Sequence, residues 1–327
     1  MGKKYTNNTE IKVENWKIDI PVLLIFFCRA DKFEKVFEQV RIARPSKLYL
    51  YQDGPRNEED KKGILKCREI ASKIDWECTV KTYYQEKNVG CDPSEYIAQK
   101  WMFEQEEMGI VLEDDDVPSQ SFFPFCKELL EKYKDDERVN MICGMNNTGV
   151  SEHLDASYLF TTKGSCWGWA SWKRVVMQWD ENYPWLESEY DLQNLKGQRL
   201  KKHEYDMCLS NVIRHKNSGR AHYETVGGMD LYLYNRLNIV PKYNMITNIG
   251  VGEETTHGAV DLRLLPKRSR KLLYMERHEM ELPLKHPKYM MPDYHYEKQM
   301  MLRTPFQAQI DRVEVLLNRI LYKVIKL

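Results

Sequence analysis

The 327-residue sequence predicts an α/β protein: a mostly parallel central sheet flanked by helices, with a helical tail at the C-terminus. Three observations predict it. Apolar runs of strand length recur through the first third of the chain, and amphipathic helical segments fall between them. The run Gly109-Ile110-Val111-Leu112 then leads straight into four acids, Glu113-Asp114-Asp115-Asp116. Such alternation gives parallel strands with right-handed crossovers, and ligands bind beyond the carboxyl ends of those strands.

Each element follows in order. Residues 21–27 (PVLLIFF) are a continuous apolar run, as a buried parallel strand requires. Asp31 is placed to cap a helix, with Glu34 completing a capping box, and Phe33, Val36, Phe37 and Val40 share one face. Residues 47–51 (KLYLY) form a second strand, closed by Gln52-Asp53-Gly54-Pro55. A helix with Ile64, Cys67, Ala71 and Ile74 on one face comes next, then a third strand over residues 77–84. Asp92-Pro93-Ser94-Glu95 supplies N-cap, N1 proline and capping-box glutamate. The helix it starts is expected to run to about Glu107 and feed the strand that ends in the acids.

Four adjacent carboxylates repel one another by about a kcal/mol or more per close pair. A solvated acidic turn tolerates that. At the mouth of an aliphatic core, a hard divalent cation such as Mn²⁺ or Mg²⁺ is the better explanation. Two other strand ends carry polar groups, Cys28-Arg29 and Gln52-Asp53. A phosphate cation, a base-edge acceptor and a metal-grade acidic cluster in one crevice are what a nucleotide diphosphate needs, although Asp-Gly-Pro alone is ordinary turn chemistry. No G-x-x-x-x-G-K-[ST] loop and no G-x-G-x-x-G follows the first strand, which argues against nucleotide hydrolysis and dinucleotide redox chemistry.

The second half differs in texture. Ser165-Cys166-Trp167-Gly168-Trp169-Ala170-Ser171-Trp172 places three tryptophans within six residues, with Trp179 and Trp185 following. Core packing is expected of Trp172 and Trp179, and lining of a sugar site of Trp167 and Trp169. Gly227-Gly228-Met229-Asp230 leads into a helix-like stretch, where Asp230 is either an N-cap or a general base facing the cleft. Residues 244–257 (NMITNIGVGEETTH) end in His257 after a glycine-bearing loop.

The order PVLLIFFCRADKF, YQDGPR, NVGCDPS, GIVLEDDDVPSQSFF, GSCWGWASW, GGMDLYLYN and NIGVGEETTHG resembles the GT-A-fold glycosyltransferases. More narrowly, it is similar to bacterial nucleotide-sugar transferases related to the Golgi N-acetylglucosaminyltransferase that initiates complex-glycan branching. The resemblance covers residues 21–258. It implies that Glu113-Asp114-Asp115 stands at the D-x-D-type motif, with Asp115 on Mn²⁺ (or Mg²⁺) and Asp114 facing the ribose or donor sugar. Asp53 would accept from a uracil ring and Arg29 would lie against the nucleotide, with Phe27 and Asn88 in the same donor-binding set. Asp230 would be the catalytic base of an inverting hexosyl- or N-acetylhexosaminyltransferase, although Met229 precedes it where relatives carry tryptophan. His257 would sit near the diphosphate or metal, and Asp116 is an acid beyond the family pattern. The implied partners are a nucleotide-sugar donor, a UDP-sugar in the family's manner, and a glycan or lipid-linked acceptor. Two rival readings are a non-catalytic nucleotide- or carbohydrate-binding protein and a sugar-phosphate nucleotidylyltransferase. The first has to ignore acids, base and histidine present together. The second calls for a basic, glycine-rich loop where Cys28-Arg29-Ala30-Asp31 stands.

Composition adds bounds. Lys plus Arg and Asp plus Glu both number 49, so no charge imbalance recommends nucleic acid. The eight cysteines show no C-x-x-C pair and read as reduced core thiols. The polar opening and the absence of a membrane-length apolar run suggest a cytoplasmic protein. The expected organisation is a polar extension (1–20), a nucleotide-sugar half (21–120), an acceptor half of the same domain (121–262) and a basic tail (263–327). In that tail Ile310, Val313, Leu317, Ile320, Leu321 and Val324 share a helical face. With Arg312, Arg319, Lys323 and Lys326 around it, this helix suits either the inner face of the plasma membrane or packing on protein.

Overall fold

The computed structural model of the chain describes residues 17–198, 200–251, 261–301 and 305–325. The first half alternates as its periodicities require: β1 (Val22–Phe26), α1 (Ala30–Ala43), β2 (Lys47–Gln52), α2 (Glu58–Ala71), β3 (Thr79–Tyr84), α3 (Cys91–Gln105) and β4 (Met108–Glu113). These four strands are parallel, with Val22 in register with Leu48 on one side and Ile110 on the other. β1 is therefore the central strand of this half, and all five of its residues are buried. Truncating any of them, such as Leu24, to alanine should cost about 2–5 kcal/mol.

The chain continues with β5 (Asp116–Pro118), α4 (Phe122–Lys132), β6 (Val139–Cys143), β7 (Tyr158–Thr161), β8 (Trp169–Trp172) and α5 (Lys173–Val176). Next come α6 (Glu189–Lys196), α7 (Lys202–Ser218), α8 (Tyr223–Leu233), β9 (Leu237–Pro241) and β10 (Ile246–Asn248). Three helices close it: α9 (Lys267–Arg270), α10 (Tyr294–Gln299) and α11 (Pro305–Ile325). Eight strands make one sheet in the order β3-β2-β1-β4-β8-β6-β9-β7. β8 is antiparallel to both β4 and β6, so both halves of the chain share this sheet. β5 and β10 form a separate two-stranded ribbon that begins on the acidic run, with Asp116 opposite Asn248.

Three local expectations change. α1 and α3 start two residues early, after Arg29 and Gly90 rather than Asp31 and Asp92, and neither of these N-caps contributes a side-chain hydrogen bond. The early start of α3 turns Cys91, Ser94 and Glu95 toward the strand ends. α8 begins at Tyr223, which puts Asp230 in its last turns rather than at its start. The glycine pair does not open the helix; Gly227 lets it lie on an indole, since a Cβ there would stand 3.0 Å from Trp179 Cζ2. Finally, the stretch after 271 is no loose tail: Met280, Leu284 and Tyr296 are buried, and the Glu297 carboxylate accepts from Thr161 and Thr162.

Candidate functional site

The carboxyl ends of β1, β2 and β4 converge on one crevice, with a cavity of about 150 Å³. Its walls include Phe27, Arg29, Asp53, Arg56, Asn88, Glu95, Glu113 and Asp114. Parallel pairing of the three strands brings these ends together over long stretches of sequence.

Arg29 is the cation that meets the acids of this crevice, whereas Arg56 in its wall is paired with Asp60. Its guanidinium pairs closely with Asp114, lies 2.8 Å from Asp115 Oδ2, and donates to the Gly250 carbonyl at 3.3 Å. Burial works against its charge, yet Asp114 and Asp115 hold its pKa above the usual arginine value. One cation does not balance the acids. Burial pushes Glu113 and Asp116 well above their ordinary values and raises Asp114 too, with neighbouring acids adding to each shift and Arg29 opposing it at Asp114. Glu95, buried near the start of α3, is raised to about 8 by burial, against a hydrogen bond from Cys91, with Glu224, Asp92 and Asp115 adding repulsion.

The acids divide by role. Asp116 Oδ2 accepts from the Gly168 N–H at 2.8 Å and its Oδ1 from Asn248 Nδ2 at 3.1 Å, so it ties the ribbon to the tryptophan segment. Asp115 Oδ1 accepts from the same Asn248 amide at 3.0 Å. Its Oδ2 projects over Gly250, where an added Cβ would stand 2.1 Å away. The chain is thus cut back around Asp115. Among the described residues, no three His, Cys, Asp or Glu side chains already form a metal cage. The oxygen donors and their excess of negative charge nonetheless fit a hard divalent ion held by one or two carboxylates, with the remaining ligands coming from substrate phosphates.

The other expected residues fall as follows. Asp53 accepts four hydrogen bonds: its Oδ1 from Gly54 and Val89 N–H, its Oδ2 from Asn88 Nδ2 and Gly90 N–H. A carboxylate offers about four acceptor positions, so Asp53 and Asn88 serve to fasten the 88–90 turn to the end of β2 and shape the crevice wall. Phe27 lies under Arg56, 4.9 Å from guanidinium carbon to ring centroid. Trp167 is half-buried against the sheet core. Trp169 does not line a site: it is 1% exposed and packs among Phe103, Trp179 and Tyr223. The alternation of β8 turns the Trp169 indole to one side of the sheet and that of Trp172 to the other; Trp172 and Trp179, the expected core rings, are both buried. His257 lies outside the described residues.

Asp230 is not brought to the crevice. It lines a different cavity of about 360 Å³, with Asp180, Tyr183, Trp185, Val226 and Tyr234. It is 6% exposed, its Oδ2 has no hydrogen-bond partner, and burial raises it to about 7 against the pull of Arg236 and Lys100. The start of α8 is what reaches the acids. Tyr223 donates to Glu113 Oε1 at 3.2 Å, and Glu224, exposed beside it, accepts from Cys166 Sγ at 3.3 Å. Asp230 stands seven residues further on, about 10 Å along the helix at ~1.5 Å per residue. Sequence reasoning missed Glu224, Glu95 and Asn248. The available signal was the helix start at Tyr223-Glu224, which the glycine pair obscured.

No family model matches the chain, and no curated protein matches it. Solved structures similar to it include 4-diphosphocytidyl-2C-methyl-D-erythritol synthase from Anaerococcus prevotii. That likeness is 12% identical, covers 62% of this chain and 86% of that one, and has a TM-score of 0.31. Another is the apo structure of the bifunctional glycosyltransferase WbbM, 8% identical over 76% of this chain and 47% of that one, with a TM-score of 0.32. The chain thus spans about half the length of WbbM. Likenesses this distant leave the site to stand on its own geometry.

Proposed function

We propose that the protein is a metal-assisted glycosyltransferase that moves a sugar from a nucleotide-diphosphate donor, a UDP-sugar as the first choice, to an acceptor hydroxyl. The observation that carries this reading is the convergence of three strand ends on a crevice whose acids outnumber its cations. Asp115, with Asp114 beside it, would hold the Mn²⁺ or Mg²⁺. When bound, such an ion neutralises charge on a diphosphate leaving group. Arg29 bridges Asp114 and Asp115 and offsets part of their charge, and its guanidinium would offer phosphate oxygens a bidentate contact. Phe27, with the Arg56 guanidinium stacked over its ring, would form a wall for the nucleotide.

An acceptor hydroxyl must lose its proton as it attacks the anomeric carbon, and a carboxylate within hydrogen-bond reach serves as base. Glu224 is the exposed carboxylate on the helix turn that meets the crevice, and it takes this role in preference to Asp230. A separate base facing the donor fits inversion at the anomeric carbon. A screen of nucleotide sugars with Mn²⁺, following both hydrolysis and nucleoside diphosphate release, tests the reading. One donor hydrolysed only with metal is the expected result. Pyrophosphate as the product would mean nucleotidyl transfer and would overturn it.

A further inference from the structure

α11 is mounted the wrong way round for a helix in water. A surface helix normally buries its apolar stripe and shows its polar face to solvent. Here the polar stripe holds the helix to the protein. Glu314 accepts from the Lys267 N–H at 2.8 Å and from Arg270 at 3.4 Å, Asn318 donates to the Leu265 carbonyl at 3.1 Å, and Arg263 stacks on Tyr322 at 4.9 Å. These residues recur every four positions, one side of the helix. The other side is apolar and open: Ile310, Val313, Leu316, Leu317, Ile320 and Leu321 are each 51–58% exposed. A contiguous apolar face of that kind marks an interaction site.

Charge says what covers it. Arg312 and Arg319 are exposed along the rim of the apolar face, Arg312 about 40° round the helix from Leu316. α9 docks beside the helix and adds Lys267, Arg268 and, at its end, Lys271, all exposed. Residues 263–271 hold five Lys or Arg and no acid. A second copy of this chain would bring the same basic rim against its like, whereas an anionic surface with an apolar interior satisfies rim and face together. No described helix is long and apolar enough to cross a membrane, which leaves the helix lying in the interface plane.

We infer that α11 and the adjoining basic segment form a peripheral docking surface for an anionic lipid bilayer. The full-length protein should co-sediment with vesicles of phosphatidylglycerol and phosphatidylcholine in equal parts, not with phosphatidylcholine alone, and less so at high salt. Leu317→Gln with Ile320→Gln should weaken this binding about tenfold or more. Arg312→Glu with Arg319→Glu should weaken it and blunt its salt dependence. Thermal melting of each variant shows that the fold is retained, since none of these side chains packs in the core. Absence of binding by the wild type, or equal binding by the glutamine pair, would overturn the inference. So would a wild-type dimer in vesicle-free buffer that the glutamine pair converts to monomer, because the face would then belong to a second copy.

Discussion

Two carboxylate sites sit along the same helix, and they differ in nearly every respect. At the start of α8, Glu224 is exposed among Glu95, Glu113 and Cys166, beside acids that Arg29 only partly balances. Two turns on, Asp230 is buried in an aromatic-walled cavity with an unpartnered oxygen and no contact with the strand ends. The first has many charges and a route to solvent. The second holds a buried acid under aromatic rings, with Asp180 at the same cavity and Arg236 and Lys100 acting on its charge. An acid that stands out in the sequence is therefore not the one the fold delivers to the strand-end crevice, because a helix carries successive residues away from a given point about 1.5 Å at a time.

The largest effect expected from this contrast is at Arg29. Arg29→Ala leaves Asp114 and Asp115 buried without their cation, and should cost about 3–5 kcal/mol in denaturant unfolding. Mn²⁺ should restore part of that loss in the variant. If added metal restores none of it, the acids are not a cation site. Next in size, Glu224→Gln should lower sugar transfer about 10²–10³-fold with donor binding kept, while Asp230→Asn stays within about twofold of wild type. The reverse pattern would return the base to Asp230.

The legibility of the molecule follows the same division. The strands β1, β2 and β4 and the apolar face of α1 could be read because burial imposes short-range periodicity on neighbouring residues. The acidic run at the end of β4 could be read because carboxylates so placed need a reason. Local composition misled where packing overrode it. Gly227 sits inside a helix at a point where Trp179 fills the space a side chain would take, and Trp169 lines no sugar site because β8 points its indole into the core. Contacts such as Tyr223 with Glu113, 110 residues apart, leave no mark in any window of sequence. Nor could periodicity tell which face of α11 meets the protein, since both stripes are regular.

A smaller and subtler effect separates the sites by pH. Burial raises Asp230 from 3.8 to about 7, so the unfolded chain releases this proton first as pH rises. Its carboxylate therefore penalises the folded state progressively across that interval and fully above it. Asp230→Asn should be more stable than wild type at pH 8 by about 1–2 kcal/mol and show no such gain near pH 4. Unfolding curves at the two pH values check this; a gain that is the same at both would place the cause elsewhere.

The central claim, that the strand-end crevice binds a nucleotide diphosphate through a metal on its acids, is tested most directly by calorimetric titration of UDP with and without Mn²⁺. Wild type and Asp115→Ala are compared under identical conditions. The account predicts Mn²⁺-dependent binding by wild type and a loss of about 10–100-fold in the variant. Binding that ignores both the metal and Asp115 would contradict it.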